Sequence, residues 1–142
     1  MTSDPPTLAG LSVGDEVVRR EITIDRARLV RYAGASGDFN PIHWNERAAR
    51  EVGLPGVIAH GMWTMGAVSS VVAEWAGDPG AVVDYQVRFT RPVPVPDPGS
   101  ATIEVVATVG VVDVVAGTVR LDLTATCDGV RVLGKAQAVV RL

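Results

Sequence analysis

Residues 60–77 read HGMWTMGAVSSVVAEWAG. Together with the segment before them they decide the architecture, because residues 52–73 carry no Asp, Glu, Lys or Arg. An uncharged run of that length is long enough to span a bilayer. Pro55-Gly56 and His60-Gly61 interrupt it, however, and Ser69-Ser70 make it polar. The pattern predicts a loop followed by a helix over about 61–76, buried on nearly all sides by protein rather than by lipid.

A helix of that kind must be wrapped, and the chain that follows supplies a wrapper. After Asp78-Pro79-Gly80 the period changes from helical to two. Val83, Tyr85, Val87 and Phe89 alternate with Asp84, Gln86, Arg88 and Thr90. Ile103, Val105, Ala107 and Val109 form a second run, and Val119, Leu121, Leu123, Ala125 and Cys127 a third. Val130, Val132, Gly134, Ala136, Ala138 and Val140 share a face in the last. Strict alternation marks half-buried antiparallel strands, and Asp128-Gly129 is a strong two-residue hairpin signal. The expected fold is α+β: a single hot-dog domain over 1–142, its curved antiparallel sheet wrapped around a long buried central helix.

Ahead of the helix, 15–24 reads as a strand. Thr23 or Asp25 caps a helix through RARLVRYAGA, with Leu29, Val30 and Tyr32 facing inward. WNERAAREVG (44–53) reads as a short helix, and the Pro-rich residues 1–12 as a loose arm or cover. The net charge of −3 and the lack of a basic block give no electrostatic footprint for nucleic acid. The single cysteine excludes an internal disulfide, and the N-terminus lacks a signal-peptide pattern. A reducing, cytoplasmic setting is expected, with no membrane partner.

The chemistry-bearing residues cluster just upstream of the helix. In SGDFNPIHW (36–44), Pro41 fixes its own φ and drives Asn40 toward an extended conformation. The segment is a stiff bend that can bring Asp38 and His43 to a common point. A carboxylate and an imidazole so placed can divide acid and base roles near neutral pH. The same residues also suit a simple Asx-turn beside a structural histidine. The second histidine, His60, precedes Gly61 where the loop enters the helix. Free N–H groups at a helix start can stabilise an oxyanion, and glycine admits close approach. Gly61 equally suits tight packing of helix on sheet. No recognised zinc spacing occurs, so no metal is expected.

YAGASGDFNPIH (32–43), with Ala59-His60-Gly61-Met62 and VRFTRPVPVPDPG (87–99), resembles the hydratase-2 motif of the MaoC-like dehydratases. Within them it is similar to the catalytic β-subunit type of mycobacterial (3R)-hydroxyacyl-ACP dehydratase. Ala35 departs from the family pattern, away from the proposed chemistry. The resemblance implies a hot-dog hydro-lyase that interconverts (3R)-hydroxyacyl and trans-2-enoyl thioesters, in type II fatty acid elongation, without a cofactor. It implies Asp38 and His43 as the catalytic pair and Asn40, the Gly61 N–H and His60 as substrate-binding groups. His43 would be the base at C2 and Asp38 the acid, or the reverse. The acyl chain would run past Met62, Trp63 and Met65. The substrate would ride on acyl carrier protein or coenzyme A, with Arg88 and Arg91 as candidate contacts for the carrier. The implied partner is a second hot-dog subunit, with a heterodimer favoured over a homodimer. Three alternatives stand beside this reading: an (R)-specific enoyl-CoA hydratase homodimer, a non-catalytic partner subunit, and a thioesterase using Glu74.

Overall fold

The computed structural model describes residues 5–142. Strand β1 (Glu16–Asp25) leads into helix α1 (Arg26–Ser36), a 3-10 turn at Pro41–His43 and helix α2 (Glu46–Glu51). Helix α3 (Gly61–Ala76) follows, and then strands β2 (Val82–Phe89), β3 (Ser100–Asp113), β4 (Thr118–Cys127), β5 (Val130–Arg131) and β6 (Leu133–Arg141). The sheet is antiparallel in the order β1-β3-β4-β6-β2, with β5 pairing on β4. Its apolar face packs on α3, which is the hot-dog arrangement that the period change implied.

Local chemistry explains the boundaries. The Asp25 carboxylate accepts the Arg28 N–H at 2.8 Å and starts α1, and Gly37, at φ 75°, ends it. Asp128 and Gly129 both take positive φ, at 49° and 74°, so the β4–β5 hairpin has the primed turn its sequence calls for. The third alternating run is realised in full: Val119, Leu121, Leu123, Ala125 and Cys127 are all buried. No helix among the described residues is long and apolar enough to cross a membrane.

Several expectations shift in detail. On α1 the inward positions are Leu29 and Ala33, one turn apart, while Val30 is 61% exposed. On β6 the pairing slips: Gln86 faces Gln137 but Arg88 faces Gly134, so the chain bulges at Lys135. The extra residue turns Leu133 inward in place of Gly134. Val130 sits in the hairpin and is exposed, as are Val83 and Phe89 on the edge strand β2. Residues 1–4 of the expected arm lie outside the described residues. In the remainder, Leu8 and Leu11 pack against the core, so this part is a cover and not a loose arm.

Helix α3 buries Trp63, Thr64, Val68, Val71, Val72 and Ala76 against the sheet. It is not enclosed on its other side in the single chain. Met62, Gly66, Ser70 and Glu74, one turn apart, form an exposed outer stripe, and Glu74 pairs with Arg20 of β1. Composition alone could not separate these two faces, because Met, Gly and Ser are uncharged on either.

Candidate active site

The segment 57–60 that delivers the chain to α3 is fixed on both sides. Ala59 N–H bonds to Val93 C=O at 2.8 Å, and Val95 N–H to Val57 C=O at 3.0 Å. On the other side Ile58 N–H bonds to Ile42 C=O at 3.2 Å, which docks the 36–44 bend against it. Arg26 braces the same corner by donating to Val95 C=O and to Glu46, both at 2.6 Å. This guanidinium holds the Glu46 carboxyl below its ordinary value.

Within the bend the Asx-turn and the Asp38–His43 pairing turn out to be one structure. Asn40 N–H bonds to Asp38 Oδ1 at 3.1 Å, and Asn40 Oδ1 accepts Ile42 N–H at 3.3 Å, capping the turn that carries His43. The Trp44 indole N–H donates to Phe39 C=O at 2.9 Å. His43 is buried to 7% exposure, and its Nδ1 lies 2.8 Å from the carbonyl oxygen of Ile58. A carbonyl only accepts, so Nδ1 carries the proton and Nε2 of the neutral ring presents a lone pair. That Nε2 lies 3.8 Å from Asp38 Oδ2. The Asp38 side chain is half exposed.

His43 lines a cleft of about 310 Å³ together with Ile58, Gly61, Thr64, Phe89 and Arg91, and with Val93, Val132 and Leu133 deeper in the wall. Gly61 is the first residue of α3, and no side chain caps the helix there. Its N–H belongs to the first turn, whose donors have no partner inside the helix. A Cβ at position 61 would stand 3.1 Å from the Phe89 ring. Glycine therefore serves close packing here and leaves the amide at the cleft wall as well.

The bend and the start of α3 thus bring Asp38, Asn40, His43, His60 and Gly61 into one neighbourhood, though not in equal roles. Asn40 works within the loop, with its amide oxygen on the turn. His60, expected to touch substrate, is 1% exposed and stacks behind His43 with ring centroids 3.9 Å apart. Met62, Met65 and Trp63 do not line the cleft; the helix offers it Gly61 and Thr64 instead. Thr64 could have been found from the sequence, being one turn on from Gly61. Phe89, Val132 and Leu133 arrive through sheet pairing and carry no local signal.

Ligand-type atoms of Asp38, His43 and His60 lie within 4.8 Å of one another. The two imidazoles, however, are stacked with an interplanar angle of 22°. A ring nitrogen binds a metal in its own plane at about 2.0–2.1 Å. An ion about 2 Å from a nitrogen in the plane of one ring lies well out of the plane of the other, so the stacked imidazoles are poorly aimed at a shared metal.

Fold and site together define a hot-dog protein with an imidazole and a carboxylate set beside an open helix N-terminus. A family model described as MaoC like domain matches residues 10–126, and the chain belongs to that family. It is 48% identical over 75 residues to the 3-hydroxyacyl-thioester dehydratase X of Mycobacterium tuberculosis, a match covering 53% of this chain and 26% of that protein. It is 37% identical over 84 residues to an (R)-specific enoyl-CoA hydratase of Rhodospirillum rubrum, covering 58% of each. The chain thus spans about a quarter to three-fifths of the length of these relatives. A solved MaoC-like dehydratase superposes with a TM-score of 0.94 at 40% identity, over 97% of this chain and 42% of that one.

Proposed function

We propose that the protein catalyses the reversible dehydration of (3R)-hydroxyacyl thioesters to trans-2-enoyl thioesters, using Asp38 and His43 and neither metal nor cofactor. The observation that carries this reading is the Nε2 lone pair of His43, held toward Asp38 in the cleft that the Gly61 amide borders. In the dehydration direction Nε2 takes the proton from C2. The electrons of that C–H bond form the C2=C3 double bond, and the C3–O bond breaks as Asp38 protonates the departing hydroxyl. Negative charge gathered on the thioester oxygen is met by the Gly61 N–H. The products leave His43 protonated and Asp38 ionised, a pair stabilised by proximity. Hydration runs the same steps backward.

The half-exposed Asp38 finds its dry setting only when acyl substrate and a neighbouring subunit cover it. We take the assembly to be a dimer with a second hot-dog subunit, a heterodimer first and a homodimer second. The open edge of β2 and the uncovered outer stripe of α3 support this. Arg91 adds a cation to the cleft wall, in keeping with a phosphopantetheine carrier on acyl carrier protein or coenzyme A, and so with fatty acid elongation. Glu74 speaks against a thioesterase, since it points outward and pairs with Arg20.

The test is incubation of the purified protein with crotonyl-CoA. Loss of enoyl absorbance without free thiol supports the reading, and thiol release overturns it. If neither occurs, the assay is repeated with the co-purifying hot-dog subunit. Continued silence then favours the non-catalytic role.

A further inference from the structure

His60 is the most deeply buried ionisable group near the cleft, and the acid–base steps above do not use it. Its Nε2 lies 3.1 Å from the backbone carbonyl oxygen of Asp38. Because a carbonyl only accepts, Nε2 carries the ring proton. Its Nδ1 is buried and has no hydrogen-bond partner among the described residues. An unpaired buried acceptor has a cost, and a native structure that keeps one calls for an explanation. One face of the ring lies against His43, and the ring also meets Tyr32 of α1 edge-on, with centroids 4.8 Å apart at 68°.

We infer that His60 is a positioning residue that fixes both members of the pair at once: Asp38 through its backbone carbonyl, and His43 through ring stacking. Other bonds to the Asp38 stretch are local. Asp38 N–H bonds to Ser36 Oγ, Asn40 N–H to Asp38 Oδ1, and the Trp44 indole to Phe39 C=O. The Ile58–Ile42 and His43–Ile58 bonds dock the later part of the bend, whereas the His60 bond joins Asp38 itself to the base of α3 and sets its height over the cleft. Stacking against His43 holds that ring in the plane that points Nε2 at Asp38.

The role requires a neutral ring. A proton on Nδ1 would be an unpaired buried donor, placed against a His43 that must itself become cationic during turnover. The groups facing His60 are Asp38 from the bend, His43 from the 3-10 turn and Tyr32 from α1. Burial, together with His43, keeps the His60 imidazole below its ordinary titration range, and the Asp38 contacts oppose this only in part. A neutral His60 lets His43 take the substrate proton without a second cation beside it.

This inference rests on the hydratase reading, and its test separates the two. Imidazole nitrogen spectra of the wild-type protein, from about pH 8 to about pH 5, should show His60 as the Nε2–H tautomer, neutral where a free histidine would be half charged. His43 should show the Nδ1–H tautomer. An Nδ1–H tautomer for His60, or ordinary titration, overturns the inference whether or not the protein turns over crotonyl-CoA. In kinetics, His60→Phe keeps the ring face and loses the donor. It should lower kcat by about 10- to 100-fold, the scale of a sub-ångström misplacement, and leave KM nearly unchanged. His60→Gln, which retains a donor at that reach but loses the ring face, should stay below wild type as well. Wild-type kcat in either variant would equally overturn the inference. Absence of wild-type turnover counts against the hydratase reading alone, and the tautomer spectra then decide the inference.

Discussion

The carbonyl oxygen of Ile58 selects which nitrogen of His43 faces the cleft. It accepts a hydrogen bond from Nδ1–H, with Nδ1 2.8 Å away, and leaves Nε2 as the free lone pair, 3.8 Å from Asp38. Two elements distant in sequence thus fix the tautomer of the imidazole proposed as the base. General acid–base groups contribute about 10²–10⁴ each. Asp38→Asn and His43→Ala should each lower crotonyl-CoA hydration by that range. The double variant should lose little more than the worse single one, because the two groups serve one step. Near wild-type rates in both single variants would reject the assignment.

Gly61→Ala separates packing from chemistry. The new methyl meets the Phe89 ring at 3.1 Å and also intrudes beside the amide. Alanine keeps the backbone N–H, so turnover should fall by about 10²-fold, the scale of a misplacement by about 1 Å of the oxygen that N–H meets. Adding Phe89→Ala should relieve the clash and raise the melting temperature again without restoring kcat. If rate returns with stability, Gly61 serves packing alone.

Asn40 acts on His43 through the turn it caps. Asn40→Ala removes the acceptor for Ile42 N–H and should cost about 1 kcal/mol of stability along with much of the rate. Asn40→Asp keeps an acceptor oxygen and should restore both, as read by urea unfolding and by kcat. A direct role of the Asn40 side-chain NH₂ on substrate would instead leave Asn40→Asp stable but slow.

Stability should depend on pH in two separate windows. The His60 value is lowered from 6.5 in the folded chain, so below that value the unfolded chain takes up a proton that the native state refuses. Bound protons favour the unfolded state, and stability falls as the solution is acidified. The Glu46 carboxyl, lowered from 4.5 chiefly by its bond to Arg26, contributes stability above that value and loses it as pH falls through the folded one. Urea midpoints taken stepwise from about pH 7.5 to about pH 3 should show both losses. His60→Phe should remove the upper one, and Arg26→Leu should flatten the lower.

The sheet face under α3 carries the fold. Leu121 is fully buried on the central strand β4. Leu121→Ala should cost about 2–5 kcal/mol in chemical denaturation, through lost burial and the cavity left behind. Val30→Ala, on the exposed side of α1, should change stability by less than about 0.5 kcal/mol.

Much of this was legible in the chain itself. The helix bounds at Gly61 and Ala76, the Asp25 cap, the Asp128-Gly129 turn and the β3 and β4 alternations are local signals, each set by a few neighbouring residues. The stiffness of Asp38-Phe39-Asn40-Pro41-Ile42-His43 is local too, since Pro41 and the Asx bonds act within a few positions. The side of α3 that meets the His43 cleft could not be read that way, and Met62, Met65 and Trp63 lie off that cleft. Which side of an uncharged helix meets the cleft depends on where the sheet lies, and Thr64 holds that side.

The sequence by itself determined the elements, the turn chemistry and the residue types able to exchange protons, because these follow from short-range sterics and periodicity. The tertiary structure decided which of two histidines faces the cleft. His43 is turned there by the carbonyl of Ile58, and His60 is held behind it by the carbonyl of Asp38. Both bonds join segments apart in sequence, 15 positions in one case and 22 in the other. A ring's tautomer depends on what its second nitrogen meets, and only the folded chain supplies that partner.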